Sequence, residues 1–193
     1  MRLLSQIGFL LELTRSHDIV RRYFVVNGFD GALTMLGLII GFQISESSDL
    51  RVVTNACLGA TIALGMSGLS SAYVSESAER KRALNKLEKA MITDLQDSAH
   101  GTAARGIPVL IAVVNGSAPL IISLLIMLPL FAANNGIELP IPPLIAATVI
   151  ALLLIFLLGV FLGRVAAVPW FRSGAQTLLL AIATAALIYL IAG

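Results

Sequence analysis

The chain has 193 residues, of which 58% are hydrophobic and only 12% charged, with a formal net charge of +2. A soluble domain carries about twice that charged fraction, so a water-exposed globular protein is excluded. The expectation is an all-α integral membrane protein, a single membrane domain over residues 1–193, with the lipid bilayer as partner and no nucleic acid. A lone cysteine, Cys57, leaves no intrachain disulfide to form.

Residues 1–22 read as an amphipathic N-terminal helix at the interface. Leu3, Leu4, Ile7, Leu10 and Leu11 share one face, and Arg2, Glu12 and Arg15 fall outside it. Glu12 and Arg15 also interrupt the apolar run, and no small-residue cleavage site follows, so no removable signal peptide is expected. A bilayer-crossing helix needs about 20 mostly apolar residues, and residues 23–43 supply the first. Inside it lies a carboxylate, Asp30. Asn27, Asp30, Thr34, Gly37 and Gly41 recur at three- and four-residue steps, which places them on one stripe. Acids in membrane helices are rare and usually face a bundle interior or a hydrated path. The stripe therefore either lines a pathway or holds helices together.

Residues 52–73 form the second span, rich in glycine, alanine and serine and suited to close packing. The third, 107–131, contains Asn115, Gly116, Pro119 and Pro129, the prolines being tolerable at membrane depth where neighbours re-satisfy the backbone. The fourth, 143–163, is nearly all aliphatic and faces lipid or packs through Gly159-xxx-Gly163. The fifth is 174–192. Between the second and third lies the only substantial hydrophilic stretch, a cytoplasmic helical segment at 76–105, either a helical hairpin or one helix beside the membrane. Leu84, Leu87, Met91 and Leu95 mark its apolar face.

Basic residues set the orientation. Arg2, Arg15, Arg21, Arg22, Arg80, Lys81, Arg82, Lys86, Lys89, Arg105, Arg164 and Arg172 all fall on alternate connections, and only Arg51 falls on the other side. This predicts a cytoplasmic N-terminus and an outer C-terminus. Nothing marks an organelle, so the plasma membrane of a prokaryote is the default.

An intramembrane acid suggests few chemistries. An aspartyl protease needs a second membrane acid to share its proton, and no other span contains one, so the chain is not expected to be an enzyme. A cation carrier needs a carboxylate on a polar stripe, which is present. Met35 and Met66 lie inside the first two spans and would suit a soft transition metal, although membrane methionines also serve as packing. Glu76 and Glu79 stand where the second span leaves the membrane, at a cytoplasmic mouth. Asp94, Asp97 and His100, at three-residue steps, either share a side of a helix and bind an entering cation together or form a solvated face.

Several stretches resemble the vacuolar iron transporter family. FDGALTMLGLIIGF, from Phe29 to Phe42, is similar to its first-helix signature of an acid, a glycine, a threonine and spaced glycines. AYVSESAERKR, from Ala72 to Arg82, resembles the end of its second helix. GSAPLIISLLIMLPLF resembles its proline-bearing third helix, and residues 157–193 its last two. The chain departs from the pattern at Ala72, where the family places glutamate, and at Gly68, near the family's second-helix methionine, with Met66 two residues earlier. Its hydrophilic segment is also short beside the glutamate-rich hairpin of plant members. The resemblance implies a homodimer that exports divalent iron or manganese from the cytosol in exchange for protons, the metal being cargo and no cofactor permanently bound. It carries Asp30 over as a pathway residue. The metal ligands expected are Asp30, Met66, Glu76 and Glu79. A transporter of the same fold for another solute, or a non-transporting scaffold, are the alternatives.

Overall fold

The computed structural model of the chain describes residues 17–45 and 49–192, with side chains described from residue 21 onward. Their regular structure is all helical: α1 (His17–Ile44), α2 (Leu50–Met91), α3 (Ala99–Asn134), α4 (Pro143–Val165) and α5 (Trp170–Ala192). All five are long and apolar enough to cross a membrane, so the chain is a multi-pass α-helical membrane protein. The expected amphipathic helix lies outside the described residues up to residue 16. From His17 the chain is helical and runs unbroken into the first span.

Local chemistry sets the helix starts. Asp49 caps α2, its Oδ1 accepting from the Arg51 and Val52 backbone N–H groups at 2.9 and 3.4 Å. Ser98 caps α3, its Oγ accepting from the His100 and Gly101 N–H groups at 3.1 and 3.3 Å. Pro143 opens α4, where its missing N–H is no loss.

Helix α2 does not stop where its apolar run ends at Tyr73. Residues 78–91 are rich in Ala, Leu, Lys, Glu and Arg, all good helix formers, and they carry the helix on to Met91. Helix α3 likewise begins at Ala99, well before the apolar stretch predicted from residue 107. The 76–105 segment is therefore a helical hairpin built from the continuations of two spans, closed by a short turn.

Three helices end in the same backbone motif, in which a residue two or three positions beyond the helix donates back five positions. The pairs are Thr93 N–H to Glu88 O, Ile137 N–H to Ala132 O, and Val168 N–H to Gly163 O. The motif needs a left-handed residue, and at α3 this is Gly136 (φ 77°). At α2 and α4 it is Ile92 (φ 53°) and Ala167 (φ 54°). A left-handed conformation costs a residue with a Cβ about 1–2 kcal/mol, and Ile92 is 93% exposed, so its side chain recovers little by packing. Ile92→Gly is expected to stabilise the protein by about 1 kcal/mol, a rise of about 2–4 °C in a thermal melt. An unchanged or lower midpoint would mean that this turn stores no strain.

The chain falls into two compact units. One combines the residues up to Phe24 with Gly65–Ser117. Its core is Ala72, Ala103, Ile107, Ile111 and Ala112, with Tyr23 packed against them. The other combines Val25–Leu64 with residues 118–193, around a core that includes Met35, Leu36 and Ile39 of α1, Ile126, Met127 and Leu130 of α3, and Ala151 and Ile155 of α4. Within it α4 sits on α5 through small residues. A Cβ on Gly159 would strike Thr177, and one on Gly163 would lie 2.7 Å from the Ser173 Cβ. The Gly159-xxx-Gly163 pair is thus a contact inside one chain. The opposite face of α5, with Leu179, Leu180, Leu187 and Leu190, is exposed and suited to lipid.

Candidate functional site

Gly31 explains how Asp30 is aimed. A Cβ at Gly31 would lie 2.8 Å from the Pro119 Cα and 3.0 Å from its carbonyl oxygen, so α1 touches α3 backbone to backbone there. The Ser123 hydroxyl donates to the Gly31 carbonyl at 3.5 Å. With Gly31 and Ala32 buried against the core, the neighbouring Asp30 is turned outward and is exposed on this chain. Asn27 and Thr34, one turn on either side, are half-buried. Among the described residues, the Asp30 carboxylate has no hydrogen bond or ion pair.

Further along the same stripe, Gly37 has only the Ile188 Cδ1 within reach of a Cβ, at 3.4 Å. A Cβ on Gly41 would meet nothing within 4 Å. The stripe read from the sequence is thus a physical face of α1, with Asp30 exposed and Asn27, Thr34, Gly37 and Gly41 half-buried on this chain.

Met35 points elsewhere. It is fully buried, and five residues along a helix place it about 140° around from Asp30. Its sulfur lies 3.8 Å from the Thr61 hydroxyl, which is also 3.7 Å from the Met127 sulfur and donates to the Cys57 carbonyl at 2.8 Å. Met35, Thr61, Met127 and Cys57 are together a dry, sulfur-rich piece of core, and Met35 does not share the face of Asp30. Met66, on α2, is 58% exposed.

Just beyond the apolar run of α2, Glu76 is well enclosed, its side chain only 13% exposed. The Tyr23 hydroxyl donates to its Oε1 at 3.4 Å, and Arg80 Nε stands 3.6 Å from its Oε2. The Arg22 guanidinium lies over the Tyr23 ring at 5.9 Å. Glu76 is therefore a held carboxylate, whereas Glu79 is exposed. Arg80 was available as a partner from its i+4 spacing; Tyr23, 53 positions away, was not.

Asp94 and Asp97 lie in the turn between α2 and α3, outside any helix, so their spacing does not align them with His100 on one helix face. The Asp94 Oδ1 accepts from the Gln96 N–H at 2.8 Å, which is turn chemistry. His100 is in the first turn of α3, beside a small cavity that Arg80, Leu84 and Leu87 also line. Among the described residues no three His, Cys, Asp or Glu side chains gather into a group that could hold a metal ion.

No known protein-family model matches the chain. It is 30% identical over 173 residues to the "Uncharacterized protein MJ0645" of Methanocaldococcus jannaschii, the match covering 88% of this chain and 87% of that protein.

Proposed function

We propose that this chain, which belongs to the family of the Methanocaldococcus jannaschii protein, exports divalent transition-metal ions, iron(II) or manganese(II), from the cytosol in exchange for protons. One observation carries the reading: a carboxylate, Asp30, sits within an apolar span and is exposed on its own chain. In a bilayer such a carboxylate meets lipid, a hydrated path or a second copy of the chain. Lipid is a costly neighbour for an acid. A second copy, approaching along Gly41 where a side chain would find open space, makes the stripe a polar seam at the centre of a homodimer.

Asn27 and Thr34 beside Asp30 offer further oxygen ligands, a set that suits manganese and other oxygen-preferring ions. Glu79 and the held Glu76 supply negative charge where the second span leaves the membrane. One carboxylate that takes either a metal ion or a proton couples the movements of both. The likeness of FDGALTMLGLIIGF to the vacuolar iron transporter signature supports the same reading. The setting proposed is a prokaryotic plasma membrane with the N-terminus inside.

The experiment is flux into proteoliposomes with iron(II), manganese(II), cobalt(II) and zinc(II), an internal pH dye reporting counter-movement of protons. Thiol-reagent access to a cysteine placed in the 92–98 turn fixes sidedness in the same vesicles. Saturable flux of iron or manganese with opposed proton movement is expected. No metal flux above protein-free vesicles would exclude the proposal and leave another solute, or a scaffold, as the function.

A further inference from the structure

Tyr73, Ser77, Lys81 and Asn85 recur every fourth residue and so form one ridge along α2. With Leu84, and with Gln96, Gly101, Ala104 and Arg105 from the far side of the hairpin, they line a single groove of about 420 Å³. Gly101 lets the hairpin close beneath it, since a Cβ there would strike the Gln96 and Leu95 carbonyl oxygens. The Arg105 guanidinium donates to the Gln96 carbonyl at 3.1 Å. That bond fixes its head and leaves further N–H donors directed outward. Lys81 is exposed beside the same space.

The groove therefore offers two cations, a hydroxyl, a phenol and two amides, and no carboxylate lines it. Two of the nearby acids are engaged elsewhere. Glu88 accepts from the Leu95 N–H at 3.1 Å, and Glu76 is held by Tyr23 and Arg80. A second, more open groove on the same helix is lined by Lys81, Arg82, Lys86 and Lys89, which adds basic side chains beside the first.

We propose that the hairpin groove binds the headgroup phosphate of an anionic phospholipid, with Ser77, Lys81 and Arg105 as its donors. The ligand chemistry is that of a phosphate, and position selects the lipid. Tyr73 closes the apolar run of α2, where an interfacial aromatic belongs, and Arg105 lies two residues before the apolar stretch of α3. Lys81 is about 12 Å along the helix from Tyr73 at 1.5 Å per residue, and its long side chain can reach back to the headgroup layer. Basic pockets between helices at this level hold anionic headgroups. The inference stands independently of the transport reading.

The test is lipid retention by the full-length protein in neutral detergent, read by native mass spectrometry while phosphatidylglycerol, phosphatidylcholine or inorganic phosphate is titrated in. Phosphatidylglycerol should bind preferentially, and Lys81→Gln and Arg105→Gln should each weaken it about fivefold. Arg82→Gln and Lys86→Gln remove the same charge outside the groove and should change binding less than about twofold. Equal losses in all four variants would reduce the site to diffuse surface charge and overturn the proposal. So would an absence of preference over phosphatidylcholine, or displacement of the lipid by equimolar inorganic phosphate. Lys81 is exposed, so Lys81→Gln does not threaten the fold and decides the matter even if Arg105→Gln misfolds.

Discussion

Asp30→Asn is expected to abolish metal flux while the protein folds as well as before, or better. The two halves of that result have separate causes. Asp30 carries the only formal charge between Arg22 and Glu46, and the packing of Gly31 on Pro119 directs it away from its own chain's core. Asparagine keeps the shape and one oxygen but removes the charge that would offset a divalent cation. Losing even an outer-shell partner of a metal costs about 10–100-fold, so flux at matched incorporation should fall by about 100-fold. Stability should move the other way, because an acid at membrane depth costs up to about 3 kcal/mol on insertion scales and the substitution relieves it. Sites that lower stability to perform a function show this opposition. Asp30→Glu should keep part of the flux with an altered order of metals, since the carboxylate is displaced by about one methylene. Wild-type flux in Asp30→Asn would assign Asp30 a structural role and remove the proposed mechanism.

Much of this was legible in the sequence, and the reasons for success and failure are physical. The five spans follow from composition, because bilayer thickness sets a minimum length that apolar runs either meet or miss. The Asn27–Asp30–Thr34 stripe follows from helical period, and it is a real face of α1. Helix ends were not legible from hydropathy. The apolar run ends near Tyr73, but helix propensity does not, and α2 continues to Met91. Asp94, Asp97 and His100 have helical spacing, yet an Asp- and Ser-containing turn interrupts them. Met35 has the chemistry of a soft ligand, and its register alone puts it on another face than Asp30. The Tyr23–Glu76 bond joins residues 53 apart, so only tertiary packing brings it about. The ridge from Tyr73 to Asn85 could have been found by its four-residue spacing, but Arg105 facing it depends on how the hairpin closes.

Gly116→Val is expected to cost about 3 kcal/mol, the upper range for overpacking. In lipid, helices gain nothing from hiding apolar surface from one another, so close van der Waals contact and interhelical hydrogen bonds hold them. Both occur where α2 meets α3. The Asn115 Nδ2 donates to the Gly68 carbonyl at 2.6 Å. A Cβ on Gly68 would lie 2.9 Å from the Asn115 carbonyl oxygen. One on Gly116 would lie 2.6 Å from the Gly65 carbonyl oxygen and 2.8 Å from the Leu69 Cβ. These neighbours are backbone or the root of a side chain, so no rotamer change makes room for valine. The helices must separate, which also stretches the buried Asn115 bond. A fall of about 6–12 °C in the thermal midpoint is the expected readout. Gly59→Ala is the control: it lies in the same helix as Gly65, a Cβ there meets nothing within 4 Å, and alanine should leave the midpoint level or raise it through helix propensity. If Gly116→Val melts within about 2 °C of the wild type, α2 and α3 are not locked at this point.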